Sequence, residues 1–306
     1  MKLNKIKLAL GFVTAAAMAM PIVASAAADQ EKAMSNSANW AHPRGQHDNQ
    51  AYSKLTQVNK GNVKNLKAAW TLSTGVNRGH EGSPLVIGNM LYVHTAFPNN
   101  VYALDLNNNQ KVVWSYFPKQ DPSVQAVLCC DNVNRGLGFG NGKIFLQQND
   151  GNLVALNAKT GAKVWSTSNV DPKVGATNTN APHVINDKVL TGCSGAEFGV
   201  RCFIAAYNIE DGSLAWKAMS TGPDSEVLIG ADFNKENPLY SALSVYEDVN
   251  GGNTEGGSFK RIPNDQLQGG VADLGLKTWL KPQAVKDGWQ HGGGSTWGWW
   301  PYDAKT

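Results

Sequence analysis

Short apolar runs broken by tight-turn residues recur along the chain. Pro84–Ile87 and Met90–Val93 flank Gly88-Asn89, and similar runs surround Asn141-Gly142 and Asn186-Asp187. Asn, Asp and Gly supply the positive φ of tight hairpin turns, so each arrangement predicts a β-hairpin. A second pattern follows each hairpin. Val101-Tyr102-Ala103-Leu104-Asp105 leads to Trp114, Leu153-Val154-Ala155-Leu156-Asn157 to Trp165, and Ile204-Ala205-Ala206-Tyr207-Asn208 to Trp216. In each, an alternating strand reaches a polar turn and a second strand ends in Trp. The three tryptophans are 51 residues apart both times. Two hairpins per period make a four-stranded antiparallel unit, and four strands in roughly 40–50 residues is the pattern of a β-propeller blade. The fold class expected is all-β, with Trp114, Trp165 and Trp216 packed between blades. A weaker fourth copy ends at Trp70.

The period is broken in two places. The stretch from Trp114 to Asn141 is 5 residues longer than that from Trp165 to Asp187, and it contains Cys129-Cys130-Asp131-Asn132-Val133-Asn134-Arg135. The stretch from Asp187 to Trp216 is 5 residues longer than that from Asn141 to Trp165 and contains Ser194-Gly195-Ala196-Glu197-Phe198-Gly199-Val200-Arg201. Insertions in repeat folds map to loops, often on one binding face. These two loops are the first places to look for chemistry.

Composition supports strands and turns, with 32 glycines and 10 tryptophans among 306 residues and only 17% charged residues. Residues 1–26 read as a secretory signal: Lys2, Lys5 and Lys7, an apolar stretch from Leu8 to Met20, and an Ala24-Ser25-Ala26 cleavage site. Residues 27–306 are then the propeller domain. Without the three leader lysines, 24 basic residues remain of 27, against 24 acidic ones. That balance argues against nucleic-acid binding and against a polybasic membrane patch. No later run approaches the roughly 18 apolar residues of a membrane span. The leader suits export to a bacterial periplasm, where disulfides persist.

Few patterns carry chemistry by themselves. Cys129 and Cys130 are adjacent and form either a strained vicinal bridge or two free or separately paired thiols. Cys193 and Cys202 flank the second loop and could pair across it or remain two buried thiols. Glu197 and Glu81 are loop acids, and a carboxylate suits a hard cation such as Ca²⁺. The six histidines form no zinc pattern, and no nucleophile elbow or P-loop is present. Gly292-Gly293-Gly294-Ser295-Thr296-Trp297-Gly298-Trp299-Trp300 combines glycines, which allow close backbone approach, with flat indoles. It reads either as a stacking platform for a planar ligand or as another blade-end tryptophan motif.

Together these pieces make the chain similar to the large subunit of pyrroloquinoline quinone (PQQ)-dependent methanol and alcohol dehydrogenases. The motifs run from Asn39-Trp40 to the last residue. They include Val63-Lys64-Asn65-Leu66 with Ala69-Trp70-Thr71, Gly79-His80-Glu81-Gly82-Ser83-Pro84-Leu85, the Cys129–Gly136 loop, Thr191–Arg201, Gly222-Pro223-Asp224 and Gly292–Trp299. The resemblance implies about half of an eight-bladed propeller. It implies a vicinal Cys129–Cys130 disulfide over one face of PQQ and the Trp297 indole on the other. It places Glu81, Arg135, Thr179, Ser194, Gly195 and Ala196, with Ser295 as a further contact, around the cofactor's carboxylates and carbonyls. Glu197 matches a ligand of the metal, which in such enzymes polarises a quinone carbonyl.

The activity implied is oxidation of a small primary alcohol, methanol foremost, to the aldehyde, with electrons leaving to a periplasmic cytochrome c. A homodimer is compatible with the full-length form. The family's catalytic Asp and metal-binding Asn fall beyond Thr306, so no catalytic residue is assigned and the chain alone is expected to be inactive. The Gly-Gly-Gly-Ser-Thr-Trp variant and the long Tyr246–Gln290 stretch favour a lanthanide over Ca²⁺. The rival reading is a non-catalytic propeller scaffold, which needs the repeats but neither Cys-Cys, Glu197 nor the glycine platform.

Overall fold

The computed structural model describes residues 28–128, 130, 132–221, 246–248, 259–261, 292–303 and 305. The leader expected at 1–26, the Gly222-Pro223-Asp224 motif and most of Tyr246–Gln290 lie outside the described residues. Three four-stranded antiparallel sheets follow one another, each a simple meander. The first contains β1 (Leu85–Ile87), β2 (Met90–His94), β3 (Val101–Asp105) and β4 (Lys111–Tyr116). The second contains β5 (Leu137–Gly140), β6 (Lys143–Gln147), β7 (Asn152–Asn157) and β8 (Lys163–Ser168). The third contains β9 (His183–Ile185), β10 (Lys188–Thr191), β11 (Phe203–Asn208) and β12 (Leu214–Met219). The three first hairpins turn where the sequence places them. Gly88, Asn141, Gly142 and Asn186 all have left-handed φ, between 49° and 62°.

The outer strands show why tryptophan recurs. In β4 and β8 only the tryptophan is buried. Each indole docks on the next blade: Trp114 Nε1 donates to Ala158 O at 3.0 Å, and Trp165 Nε1 donates to Ile209 O at 3.2 Å. A glycine with left-handed φ lies under each ring. A Cβ on Gly161 would stand 2.5 Å from Trp114, and one on Gly212 would stand 2.6 Å from Trp165. Behind these contacts, Leu137, Ile144, Leu146, Val154 and Leu156 pack toward the first blade, and Phe145, Val184, Val189 and Tyr207 fill the space between the second and third. An N-terminal helix α1 (Ala28–Ser35) adds Ala33 and Met34 to the first cluster. Its Asp29 carboxylate accepts the Asn141 and Gly142 backbone N–H groups at 2.7 and 2.6 Å.

Two expectations change. Trp216 is 41% exposed, because burial of an outer-strand tryptophan comes from the following blade's turn and no such turn reaches it among the described residues. The fourth copy ending at Trp70 is not a strand, and Trp70 is also 41% exposed. An outer strand needs three inner strands beside it, and the described residues before Trp70 supply none. A separate hairpin pairs β13 (Tyr246–Asp248) with β14 (Phe259–Arg261).

Candidate functional site

The segments leading into β1, β5 and β9 run side by side. Ser83 and Gly136 form a parallel bridge, and the Arg135 backbone N–H donates to Thr179 O at 3.1 Å. Thr177 and Ser194 exchange both backbone hydrogen bonds, at 3.1 and 2.9 Å, which brings the loop after β10 to the same place. Four residues expected to hold a cofactor therefore converge from three blades. Arg135 Nε lies 3.2 Å from Glu81 Oε2, while its Nη1 donates to Thr179 Oγ1 at 2.9 Å and to Thr179 O at 3.2 Å. Thr179 Oγ1 is 2.6 Å from Ser194 Oγ. The guanidinium stands 4.3 Å from the centre of the Trp297 ring, a cation–π contact.

Arg135 is 7% exposed, and a buried cation needs such partners. Burial draws its pKa down, and Glu81 partly offsets that. The loop behind it is held by buried amides. Asn134 Nδ2 donates to Gln147 O at 2.6 Å, Asn134 Oδ1 accepts from Gly136 N–H at 3.1 Å, and Asn149 Nδ2 donates to Val133 O at 3.2 Å. His94 Nε2 meets Asn134 O at 3.1 Å, close beside Gly82.

One fixed cation, two hydroxyls and an indole face suit a planar, polyanionic ligand. The donor set fits PQQ, whose carboxylates would meet Arg135, Thr179 and Ser194 and whose rings would lie on Trp297. Trp297 is 44% exposed, so its ring is open to a stacked ligand while Arg135 stays on Glu81 and Thr179.

The other expected residues lie around this cluster. Cys130 is exposed, disulfide-bonded and left-handed at φ 61°, whereas Cys129 lies outside the described residues. Gly195, with φ 113°, opens a 3₁₀ turn, Ala196–Phe198, that presents Glu197 to solvent. Among the described residues no group of three or more His, Cys, Asp or Glu side chains could hold a metal ion, so Glu197 is a single carboxylate and not a complete site. Ser295 is half-buried, and the strap's side-chain hydrogen bonds to the third blade come from its neighbour Thr296.

The profile of the PQQ glucose/ethanol/alcohol dehydrogenase β-propeller domain family matches residues 40–237. The chain belongs to this family. It is 46% identical over 274 residues to a lanthanide-dependent methanol dehydrogenase of Methylorubrum extorquens, covering 90% of this chain and 40% of that protein. It is 44% identical over 274 residues to methanol dehydrogenase (cytochrome c) subunit 1 of the same organism, covering 88% of this chain and 38% of that protein. A solved europium-containing methanol dehydrogenase superposes with a TM-score of 0.73 at 43% identity, over 90% of this chain and 42% of that one. The chain thus spans about two fifths of the length of the curated relatives it matches.

Within this quinoprotein propeller, three features go beyond the sequence reading. Thr296 was passed over because its neighbours, a serine and a tryptophan, carry more obvious chemistry. Cys193 and Cys202 form a disulfide, which their spacing left open. His42, His47 and His183 gather against Trp300 and Tyr302. His42 Nε2 is 3.4 Å from His183 Nδ1, and His47 Nε2 is 3.1 Å from Glu31 Oε1. Histidines 141 residues apart give no local signal.

Proposed function

We propose that this chain is the PQQ-holding part of a periplasmic quinoprotein that oxidises a small primary alcohol, methanol foremost, and passes electrons to a cytochrome c. The observation that carries the reading is the buried Arg135, which joins Glu81, Thr179, the Thr179–Ser194 hydroxyl pair and the Trp297 face in one cluster. In this reading Arg135, Thr179 and Ser194 bind the cofactor's oxygens, and the Gly195 and Ala196 backbone and Ser295 border them. Glu81 holds the guanidinium in place. Trp297 stacks on one face, and a vicinal Cys129–Cys130 disulfide covers the other. PQQ, when bound, supplies the electron acceptor for alcohol oxidation. Glu197 contributes one carboxylate to a cation, for which the relatives' names favour a lanthanide over Ca²⁺.

Among the described residues no helix is long and apolar enough to cross a membrane. The leader pattern of residues 1–26 supports export to the periplasm. The test is equilibrium binding of PQQ, with Ca²⁺ present, to the unaltered chain and to Arg135→Gln and Trp297→Ala. Both variants are expected to weaken binding at least about tenfold, through a lost charge-assisted contact and a lost stacking face. Equal affinity in all three proteins would remove the basis of the assignment.

A further inference from the structure

The loop that bears Glu197 and the strap that bears Trp297 are joined at one point. Cys193 and Cys202 are fully buried and disulfide-bonded, with Cα atoms 5.5 Å apart and a sequence separation of 9. The ring they close contains Ser194, Gly195, Ala196 and Glu197. Thr296, which precedes the indole, fastens the strap to the two ends of this ring. Its backbone N–H donates to Cys193 O at 2.9 Å, its Oγ1 accepts the Cys193 N–H at 2.9 Å, and the same hydroxyl donates to Phe203 O at 2.6 Å. Gly192 makes the approach possible, since a Cβ there would stand 2.1 Å from Thr296 O.

The rest of the strap follows the same ring. Ser220 N–H donates to Cys202 O at 3.0 Å, while its hydroxyl donates to Gly294 O at 2.6 Å. Gly293 bridges Arg201, and a Cβ on Gly292 would stand 2.6 Å from Ala196 O. Without such ties both segments would be loose. Gly195, Gly199, Gly292, Gly293 and Gly294 all have φ between 63° and 113°, and glycine loses the most backbone freedom on ordering.

We propose that the Cys193–Cys202 disulfide and Thr296 form a clamp that fixes Trp297 relative to Ser194 and Glu197. Cys193, Cys202 and Thr296 are thus positioning residues for the cofactor. The inference rests on the reading of this cluster as a PQQ site. Its physical content is preorganisation: the clamp meets the ordering cost of two glycine-rich segments before the ligand arrives. Loss of the clamp is expected to weaken the site about 10- to 100-fold, by analogy with the outer partners that orient metal ligands.

The experiment measures PQQ affinity by equilibrium dialysis with Ca²⁺ present, alongside thermal unfolding. It compares the unaltered chain, Trp297→Ala, Thr296→Val, Thr296→Ser and the double variant Cys193→Ala/Cys202→Ala. Thr296→Val keeps the disulfide and removes both hydroxyl bonds, so it is expected to weaken binding about 10- to 100-fold with little change in melting. Thr296→Ser restores the hydroxyl and is expected to recover affinity to within about threefold, which a purely structural role would not require. The double variant is expected to weaken binding to the same degree as Thr296→Val. If Trp297→Ala loses PQQ while Thr296→Val and the double variant bind as the unaltered chain does, the clamp is overturned and the site stands. If the unaltered chain binds no PQQ, or Trp297→Ala binds it equally well, the reading of the site falls and the clamp with it.

Discussion

Mild acid should weaken this fold well before its carboxylates titrate. His42, His94 and His183 are at most 5% exposed. Burial, with His183 and His47 nearby, pulls His42 from 6.5 down to about 2. Burial pulls His94 down to about 4 against the opposing Asn134 carbonyl contact, with His80 adding to the fall. His183 falls to about 4, through burial and then His47. All three folded-state values are depressed, so below pH 6.5 the unfolded chain binds protons that the native chain does not. Stability is then full above about pH 6.5 and is lost as pH falls from there toward about 4. Between pH 7.5 and 5.5 each imidazole accounts for about 1.4 kcal/mol, and the three together for about 4 kcal/mol. That is most of the lower end of the roughly 5–15 kcal/mol that holds an ordinary domain together. Burial raises Asp150 and so opposes the trend, but only nearer the carboxylate range. The assay is urea unfolding at pH 7.5, 6.5 and 5.5, with proton uptake measured in weak buffer. Close to three protons should be taken up per chain unfolded at pH 5.5, and His183→Gln should remove one. Equal stability at pH 7.5 and 5.5, or unfolding without proton uptake, would refute the argument.

Other outcomes can be checked directly. Gly212→Ala should cost about 2–4 kcal/mol in urea unfolding, because it puts a Cβ at φ 73° into the Trp165 ring; no loss would contradict the docking described. Glu197→Ala, measured by sensitised terbium luminescence on the PQQ-loaded chain, should lower cation affinity at least about tenfold with the melting temperature unchanged, since the carboxylate leaves an exposed turn. Unaltered cation affinity would remove Glu197 from the site. In the Cys193→Ala/Cys202→Ala variant, alkylation of the denatured, unreduced chain should label neither Cys129 nor Cys130. Labelling of both would rule out the vicinal bridge.

Local rules made the blades legible. Asn141-Gly142 and Asn186-Asp187 announce turns because few residues tolerate positive φ, and the 51-residue tryptophan spacing announces the outer strands because a large ring fits one place in each. Much of the site was legible for the opposite reason: Arg135 and Ser194 lie where the repeat is interrupted, so extra residues marked the loops. Thr179 became visible only through family resemblance, since a lone Thr has no local signature, and Glu81 stood out only as a loop acid until the resemblance gave it a partner. The burial of Trp216 was misjudged because it is decided by residues of another blade. The His42–His183 contact was invisible for the same reason, joining a segment ahead of the first blade to the first strand of the third.

The same dependence on the neighbouring blade connects the tryptophan docking to the chemistry. Glu81 comes from the lead into the first blade, Arg135 from the lead into the second, and Thr179 and Ser194 from the third. No single blade contains the cluster, and no sheet hydrogen bond of a blade fixes the distance from Arg135 to Thr179. Three hydrogen bonds between the two leads hold it directly, and the seat of the second blade on the third supports them, through Trp165 on Ile209 and Gly212 and through Phe145, Val184 and Tyr207 between them. A tilt at this packing would move Thr179 against Arg135 while leaving every strand intact. The docking tryptophans therefore support the geometry of the Arg135–Thr179 cluster as well as the core. Loosening Trp165 should weaken ligand binding even where each blade remains folded.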